Sequence, residues 1–329
     1  QVAASPAFLF KPQLTYRVRW NLNTDTPIPP EEPAGKNPPD GVMIDYYLKA
    51  GVSEIKLEIL DAAGAAVRQF SGAERAERVD ANTLPYPTYW FRPPQILSGK
   101  PGMQRFIWDL HYAPPPGVRR SYPMTAILRD TPLSPVGPWV LPGEYSVRLT
   151  VDGKTSLQPF TVKVDPRVTA PREVLLEQFD MSMTCYDGLN QVAAVREKIS
   201  GVRASIQSIL KDGGDKEWKD LLNRAGRKVS ALDGTVWTED VDVMYDAEYA
   251  ARGNEETLAG LQRKLLLLMG ILQGADAKPT SQVVAAVHDQ QLSLKELLSR
   301  WEQLKQGTGD LITINKMLQT KNRPGVRID

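Results

Sequence analysis

The sequence predicts an α+β protein in which an antiparallel β-sandwich is followed by an up-and-down helical bundle. Of the 26 prolines, 23 lie in residues 1–170, and proline removes the hydrogen-bond donor that a helix needs. Short runs after residue 42 alternate apolar and polar positions, as strands do, whereas apolar positions after Phe179 recur every three or four residues, as in helices. We predict three segments: a proline-rich extended lead-in at residues 1–41, a sandwich at 42–168 with insertions at 71–101 and 111–141, and an antiparallel helical bundle at 169–329.

The composition is that of an ordinary globular protein without a global charge. The 329 residues include 40 basic and 39 acidic side chains, giving a net charge of +1. A near-neutral chain has no field that attracts nucleic acid, so we expect no nucleic-acid partner. The single cysteine, Cys185, excludes an internal disulfide. Residues 265–272 form the longest strongly apolar run, far below the roughly 20 residues of a membrane span, so we expect no membrane span.

The lead-in carries six prolines in residues 24–41. This density favours an extended, polyproline-like chain. We interpret it as a connector laid across a surface, and a recognition arm for an aromatic groove is the alternative. Because the chain begins at Gln1 rather than methionine, we interpret it as a processed form or a piece of a longer protein.

The strand predictions rest on period-two alternation bounded by turn residues. Strands are predicted at residues 43–48, 55–60, 67–70, 105–110, 145–151 and 158–164. Phe106, Trp108 and Leu110 are predicted to share one face of their strand, and Asp152-Gly153 to form a two-residue hairpin turn. Six or seven short strands over this length are typical of an antiparallel sandwich.

The helix predictions rest on apolar spacings of three and four, a seam close to a heptad repeat. The seam of the first helix comprises Phe179, Met183, Tyr186, Leu189, Val192, Val195, Ile199, Val202, Ile206 and Ile209. Thr169 is its predicted cap, with Pro171 in the first turn. Further helices are predicted at residues 216–232, 255–272, 280–306 and 310–318. Thr280 is the predicted cap of the helix at 280–306.

Asp109 and His111 are the weak catalytic candidates. If both point to the same face of a strand, the carboxylate could orient the imidazole as a base. The sequence attaches no serine or cysteine nucleophile to the pair, so the alternative is a polar pair at a strand end. The other histidine, His288, has leucine rather than a ligand four residues later, and the helical zinc motif is therefore missing.

The remaining searches for chemistry find no site. Read as a calcium loop from Asp240, the acidic run has Met244 at position five, Tyr245 at position six and Ala251 at position twelve, none of which fits. Glycine-rich phosphate loops and the nucleophile elbow are missing from the sequence. We therefore predict no cofactor and no metal.

Four aromatic residues, Tyr86, Tyr89, Trp90 and Phe91, lie in a loop rich in proline. Flat rings of this kind can stack on sugars, which predicts a carbohydrate or interaction surface. The same rings can instead close the edge of the sandwich.

The sandwich segment resembles the immunoglobulin-like module of the flagellar hook-capping protein and of many secreted bacterial proteins. The matching segments are residues 55–64, Val67-Arg68, Gly102, 106–109 and 142–147. The resemblance implies that Gly64 turns a hairpin, Trp108 fills the core, and Gly143 and Tyr145 begin a strand. Residues 71–101 and 111–141 exceed the compact module and are interpreted as insertions.

A longer resemblance covers nearly the whole chain. Residues 23–27, 30–41, 44–48, 105–110, 165–168 and 272–276 resemble the C-terminal region of large bacterial sortilin-like proteins that carry Asp-box repeats. Those proteins are often labelled glycosyl hydrolases, and in them a β-propeller precedes this region. Residues 230–237 of this chain fail the Asp-box pattern because position 232 is leucine. The resemblance therefore assigns no sugar-cleaving residue to this chain.

Together these observations predict a non-catalytic accessory module, the C-terminal part of an exported sortilin-like propeller protein. Its expected partner is the β-propeller domain of the same or a companion polypeptide, and its expected location is secreted, periplasmic or on the bacterial cell surface. One alternative is part of a glycoside hydrolase whose catalytic residues lie mainly in the propeller. The other is a structural subunit of a cell-surface assembly with protein partners.

Overall fold

A computed structural model describes residues 2, 5–19, 29, 31–33, 35, 38–75, 80, 82, 84, 87–123, 130–213, 216–237, 256–306, 310–320 and 325–326. The chain is an α+β protein, with strands in its first half and helices in its second. It divides into two compact units. The sheet unit comprises Gln1–Phe179 and Ala275–Lys278, and the helical unit comprises Asp180–Gly274 and Pro279–Asp329.

Eight strands form two sheets in the described part of the sheet unit. They are β1 (Ala7–Leu9), β2 (Thr15–Arg17), β3 (Val42–Leu48), β4 (Ile55–Asp61), β5 (Ala66–Ser71), β6 (Gly102–Trp108), β7 (Gly143–Val151) and β8 (Lys154–Val164). One sheet has the order β1-β3-β6 and the other β2-β8-β7-β4-β5. All pairings are antiparallel except β2 with β8, which is parallel.

The predicted hairpin turn at Asp152-Gly153 is confirmed. Val151 pairs with Lys154 across a turn in which Asp152 has φ 43° and Gly153 has φ 80°. Positive φ at both central residues matches the right-handed twist of the two strands, and glycine reaches it without steric cost. The turn therefore fixes the register of the longest hairpin, β7 with β8.

The inner faces of both sheets contribute to one apolar core. Trp108 is fully buried there, with its ring 6.0 Å from that of Tyr145 and 6.3 Å from that of Phe160. The Tyr145 hydroxyl donates to the Leu141 carbonyl at 2.6 Å, so the ring stays in the core while its polar end is satisfied. The expected core role of Trp108 is confirmed.

Two features of the sheet unit differ from the predictions. The lead-in contains β1, which is a strand of the three-stranded sheet, and β2, which is a strand of the five-stranded sheet. β6 ends at Trp108, and Leu110 has φ 63°, so the prediction that Asp109 and His111 project from one face of a strand is wrong. The Trp108 indole donates to the His111 carbonyl at 3.1 Å, which stabilises the turned chain.

The second half contains five helices in its described part. They are α1 (Arg172–Lys211), α2 (Lys216–Asp233), α3 (Leu258–Leu272), α4 (Ser281–Lys305) and α5 (Asp310–Thr320). The predicted cap Thr280 is confirmed, since its hydroxyl accepts from the Val283 amide at 3.3 Å. Thr257 caps α3 in the same way by accepting from Gly260 at 3.1 Å, so this helix begins later than predicted.

The predicted apolar seam of α1 is confirmed as part of the core of the helical unit from Leu189 onward, whereas the first residue of the seam, Phe179, belongs to the sheet unit. From Leu189 to Ile209 every seam position is buried, and Val202 is fully so. The same core contains two buried tryptophans, Trp218 of α2 and Trp301 of α4. Each helix buries an apolar stripe that would be unstable alone in water.

Candidate functional site

His111 is packed rather than presented to solvent. It is 8% exposed, and its ring lies 4.2 Å from that of Trp139. Its Nδ1 is 2.7 Å from the main-chain oxygen of Asp109 but 3.8 Å from the Asp109 carboxylate. Nδ1 therefore carries the proton and donates it to the carbonyl oxygen. Burial lowers the pKa of His111, against the opposing effect of the Asp109 charge, and a neutral imidazole held in this way favours packing over proton transfer.

The predicted aromatic surface is only partly assembled among the described residues. Tyr86 lies outside them. Tyr89 is 47% exposed and meets Trp90 edge-on, with an interplanar angle of 83°. Phe91 stacks on Tyr122 with a centroid distance of 3.8 Å, which covers one of its faces. Perpendicular rings do not form the flat platform on which a sugar ring stacks.

An ion-paired arginine stabilises the loop that carries these rings. Arg92 Nε donates to Asp130 at 2.7 Å and its Nη2 donates to Asp40 at 3.1 Å. The Arg92 amide also donates to the Thr131 carbonyl at 2.8 Å, and the Thr131 amide donates to Trp90 at 3.1 Å. The two insertions are thus joined by main-chain and side-chain bonds.

Two arginines of the lead-in converge on one carboxylate inside the sheet unit. Arg17 Nη2 lies 2.5 Å and Arg19 Nη2 lies 3.0 Å from the same oxygen, Oδ1 of Asp276. Both guanidinium groups also lie over the ring of Trp139, at 5.9 Å and 5.4 Å from its centroid. We call Arg17, Arg19, Trp139 and Asp276 the arginine cluster.

Arg17 and Asp276 form the buried part of the arginine cluster. The side chains of Arg17 and Asp276 are 3% and 4% exposed. Burial lowers the pKa of Arg17, chiefly because a guanidinium cation loses hydration there, and the charge of Asp276 opposes this effect. Sequence reasoning missed the cluster because Arg17 and Asp276 are 259 positions apart, and the resemblance of residues 272–276 to sortilin-like proteins gives Asp276 no partner.

The outer face of the three-stranded sheet is mainly apolar. Strand alternation places five apolar side chains there, and Phe10, which follows β1, has its ring 4.9 Å from that of Phe8. We call these six residues the apolar face: Phe8, Phe10, Met43, Tyr47, Met103 and Ile107. Met103 is 60% exposed. Asp45 and Arg105 pair directly across β3 and β6 in the midst of these residues, at 2.7 Å and 2.8 Å. The sequence carries one signal of this apolar face. Residues 43–48 are apolar at every position except 45, which is typical of strands covered on both sides.

The outer face of the five-stranded sheet is polar. Glu58 accepts hydrogen bonds from Arg148 at 2.7 Å and from Gln69 at 2.8 Å, and pairs with Lys56 at 3.0 Å. The hydrogen bond from Arg148 is the main reason that the pKa of Glu58 falls to about 2. We call Lys56, Glu58, Gln69 and Arg148 the polar face.

The one cysteine of the helical unit is buried and its one described histidine is exposed. Cys185 is fully buried, and burial raises the pKa of its thiol to about 12, so the thiolate is scarce at neutral pH. His288 is exposed, with Nδ1 3.2 Å from the Gln291 amide oxygen. Arg203 donates to Thr235 at 2.8 Å and to the Val236 carbonyl at 3.0 Å, contacts that hold the chain after α2.

Metal and membrane signatures are missing from the part of the chain that the structure describes. It contains no cluster of three or more histidine, cysteine, aspartate or glutamate residues able to hold a metal ion. The acidic run at residues 239–246 lies outside that part. None of its helices is both long and apolar enough to cross a bilayer.

Comparison with known proteins gives no assignment. No protein-family model and no curated protein matches the sequence. Among solved structures, the chain is similar to the crystal structure of CopC from Methylosinus trichosporium OB3b, at 14% sequence identity over 49% of this chain and 98% of that one. The TM-score of this match is 0.19, so it carries no argument about fold or function.

Proposed function

We propose that this chain is a non-catalytic accessory module of an exported bacterial protein, and that it binds the β-propeller domain of the same or a companion polypeptide. The apolar face of the three-stranded sheet is the observation that carries this proposal. Contiguous apolar surface of this kind is typical of protein–protein interfaces.

The ion pair within the apolar face supports covering by protein. Asp45 and Arg105 satisfy each other through two parallel hydrogen bonds. A bidentate pair can be covered at lower cost than an isolated charge, because each partner keeps its charged hydrogen bonds. A partner therefore needs no matching charge at this position, only an apolar surface around it.

The resemblance to sortilin-like proteins supports a propeller as the partner. Two of the resembling segments, residues 44–48 and 105–110, contain four of the eight outward side chains of this sheet: Asp45, Tyr47, Arg105 and Ile107. In those proteins a propeller precedes the equivalent region. The same resemblance supports an exported location.

We also infer a finer fold for each unit. The paired sheets around Trp108, with Gly64 at φ 83° in the turn between β4 and β5, support an immunoglobulin-like sandwich. The short connection between α3 and α4, together with the buried seam of α1, supports an up-and-down antiparallel bundle.

Site-specific photo-cross-linking tests the proposed docking. A photo-reactive amino acid at Met103, on the apolar face, should cross-link to a peptide of an Asp-box propeller in the bacterium that makes the protein. Leu157 on β8 is the matched control, because it is 56% exposed compared with 60% for Met103 but lies on the other sheet. We expect the propeller cross-link at Met103 and at most a trace at Leu157.

Three outcomes would overturn the proposal. Equal yields at Met103 and Leu157 would mean that the apolar face is not an interface. A cross-link between two copies of this chain at Met103 would favour a structural subunit of an assembly instead. Hydrolysis of a glycoside by the purified chain, abolished by Asp109→Asn without a change in melting temperature, would favour the glycoside hydrolase alternative.

A further inference from the structure

We propose that Arg17, Arg19 and Trp139 form a carboxylate-binding site in which Asp276 is a resident internal ligand that a free carboxylate can replace. Arg17 is the last residue of β2, Arg19 follows it by two positions, and Trp139 lies in the chain before β7. Both guanidinium groups lie close to the Trp139 ring, at 5.9 Å and 5.4 Å from its centroid. Asp276 comes from a segment of only four residues, Ala275–Lys278, which belongs to the sheet unit although the chain on both sides of it does not. Asp276 therefore reaches the two arginines from a short piece of chain that is separate from the rest of the sheet unit, as a bound ligand would be.

The geometry around the carboxylate resembles recognition of an anion rather than a simple pair. Two guanidinium groups donate to one oxygen, Oδ1, from different residues. Arg17 is fixed from its other side, since its Nη1 donates to the Val140 carbonyl at 2.8 Å. The ring of Trp139 lies beside both cations, an arrangement that stabilises them through its π face. These contacts hold the arginines in place independently of Asp276.

The resident ligand uses only part of the site. The second carboxylate oxygen of Asp276, Oδ2, is buried and has no hydrogen-bond partner, and Nε of Arg17 is in the same condition. An ionised carboxylate has about four acceptor positions on its two oxygens. A carboxylate freed from the covalent chain could rotate to use donors that Asp276 leaves unused.

The burial of Arg17 also favours an anion. The Arg17 side chain is 3% exposed, and the Arg19 side chain, which is 19% exposed, donates to the same carboxylate. Removing the Asp276 charge would take the carboxylate away from the buried guanidinium of Arg17 in a site of low dielectric constant. That loss is costly unless another anion enters.

Chemical rescue of Asp276→Ala tests the site. This substitution removes the carboxylate and keeps Cβ, so the missing group has the size of formate. We expect Asp276→Ala to lower the melting temperature. Formate at about ten times its dissociation constant should then restore about 2–4 °C. Acetate should restore less because it carries an extra methyl group, and chloride at equal ionic strength should restore least.

Two matched variants separate binding from a general salt effect. Asp276→Asn fills the same space without charge, so formate should not stabilise it. Asp45→Ala removes a carboxylate that is also bonded twice by an arginine but is half-buried at the surface, so formate should not stabilise it either. Adding Arg17→Met to Asp276→Ala should abolish the rescue.

A direct readout comes from Trp139. With 5-fluorotryptophan in place of tryptophan, the ¹⁹F resonance that Trp139→Phe removes should shift saturably with formate in Asp276→Ala and stay fixed in Asp276→Asn. If formate acts no better than chloride, Asp276 is a structural ion-pair partner and the proposal is wrong. If Asp276→Ala does not fold, refolding in formate decides the matter, because recovery supports the site and failure overturns it.

Discussion

The outer faces of the two sheets differ although their inner faces share one core. On the three-stranded sheet, six of the eight outward positions are apolar and form the apolar face. On the five-stranded sheet, charged and amide groups bond to each other across β5, β4 and β7. Alternation requires apolar residues only on the inner side. The outward residues are free to vary, and the apolar ones on the three-stranded sheet are the basis of the proposed docking, whereas the polar ones on the five-stranded sheet suit contact with water.

The acidic residue at the centre of each face shows the same contrast. Glu58 is 5% exposed and held by three neighbours, so its charge is satisfied within the sheet. The Asp45 side chain is 30% exposed and is bonded by Arg105 alone among its side-chain neighbours. The charge of Glu58 therefore needs no further partner, whereas the environment of Asp45 would change on docking.

The largest expected loss of folding stability comes from a substitution on the inner side of β3, compared with one on its outer side. Ile44 is fully buried and Met43, its neighbour, points outward. Ile44→Ala should lower the free energy of unfolding by about 2–5 kcal/mol, because it removes apolar contacts and leaves a cavity. Met43→Ala should cost no more than about 1 kcal/mol. Urea denaturation measures both, and similar losses would mean that Met43 is also covered within the free chain.

A smaller effect is expected on the polar face. Glu58→Gln should cost about 1–2 kcal/mol at neutral pH, because three donors lose a charged acceptor, while partial exposure of Lys56 and Arg148 screens the effect. The value comes from the difference between two urea titrations. Thr161→Val is the control, since it removes an exposed hydrogen bond to Glu144 on the same sheet.

The cost of Glu58→Gln should depend on pH in one direction. The pKa of Glu58 falls from its ordinary 4.5 to about 2 on folding, so the carboxylate stabilises the fold fully above about 4.5. That contribution is lost as the pH drops from about 4.5 to about 2. The gap between wild type and variant should close over this interval, and a constant gap would contradict the ionic origin.

The smallest effect on the free chain is expected at the Asp45–Arg105 pair. The hydrogen bond from Arg105 lowers the pKa of Asp45, against the opposing effect of burial. Because the pair is partly exposed, Asp45→Asn should cost only about 0.5 kcal/mol of folding stability at low salt. Binding to a partner should lose more, since the pair is then desolvated. A double-mutant cycle with Arg105→Gln, run on folding and on binding, gives both coupling energies, and equal values would argue against docking at this face.

The sequence predicts local structure well where one periodicity dominates. The seam from Leu189 to Ile209, the Asp152-Gly153 turn and the Thr280 cap each depend on residues within a few positions of each other, and all three are confirmed. Such signals are short-range, so a single sequence is enough to detect them.

The features that the sequence does not predict depend on distant pairings. β2 is too short to show alternation, and its parallel pairing with Val162–Val164 is decided by the rest of the sheet. The arginine cluster joins residues that are far apart in the sequence, Arg17 and Asp276. Even β6 ends earlier than its alternation suggests, because the Trp108 indole binds the carbonyl of the turned His111. No local pattern encodes these contacts.

A fragment that ends at Phe179 contains all of the sheet unit except Ala275–Lys278. It therefore lacks Asp276. Such a truncated protein would leave the buried guanidinium of Arg17 without the carboxylate of Asp276, and it should be hard to produce in isolation. Expression trials that supply residues 275–278 as a tethered peptide, or add carboxylate salts during purification, should yield more folded material than trials of the fragment that ends at Phe179 alone.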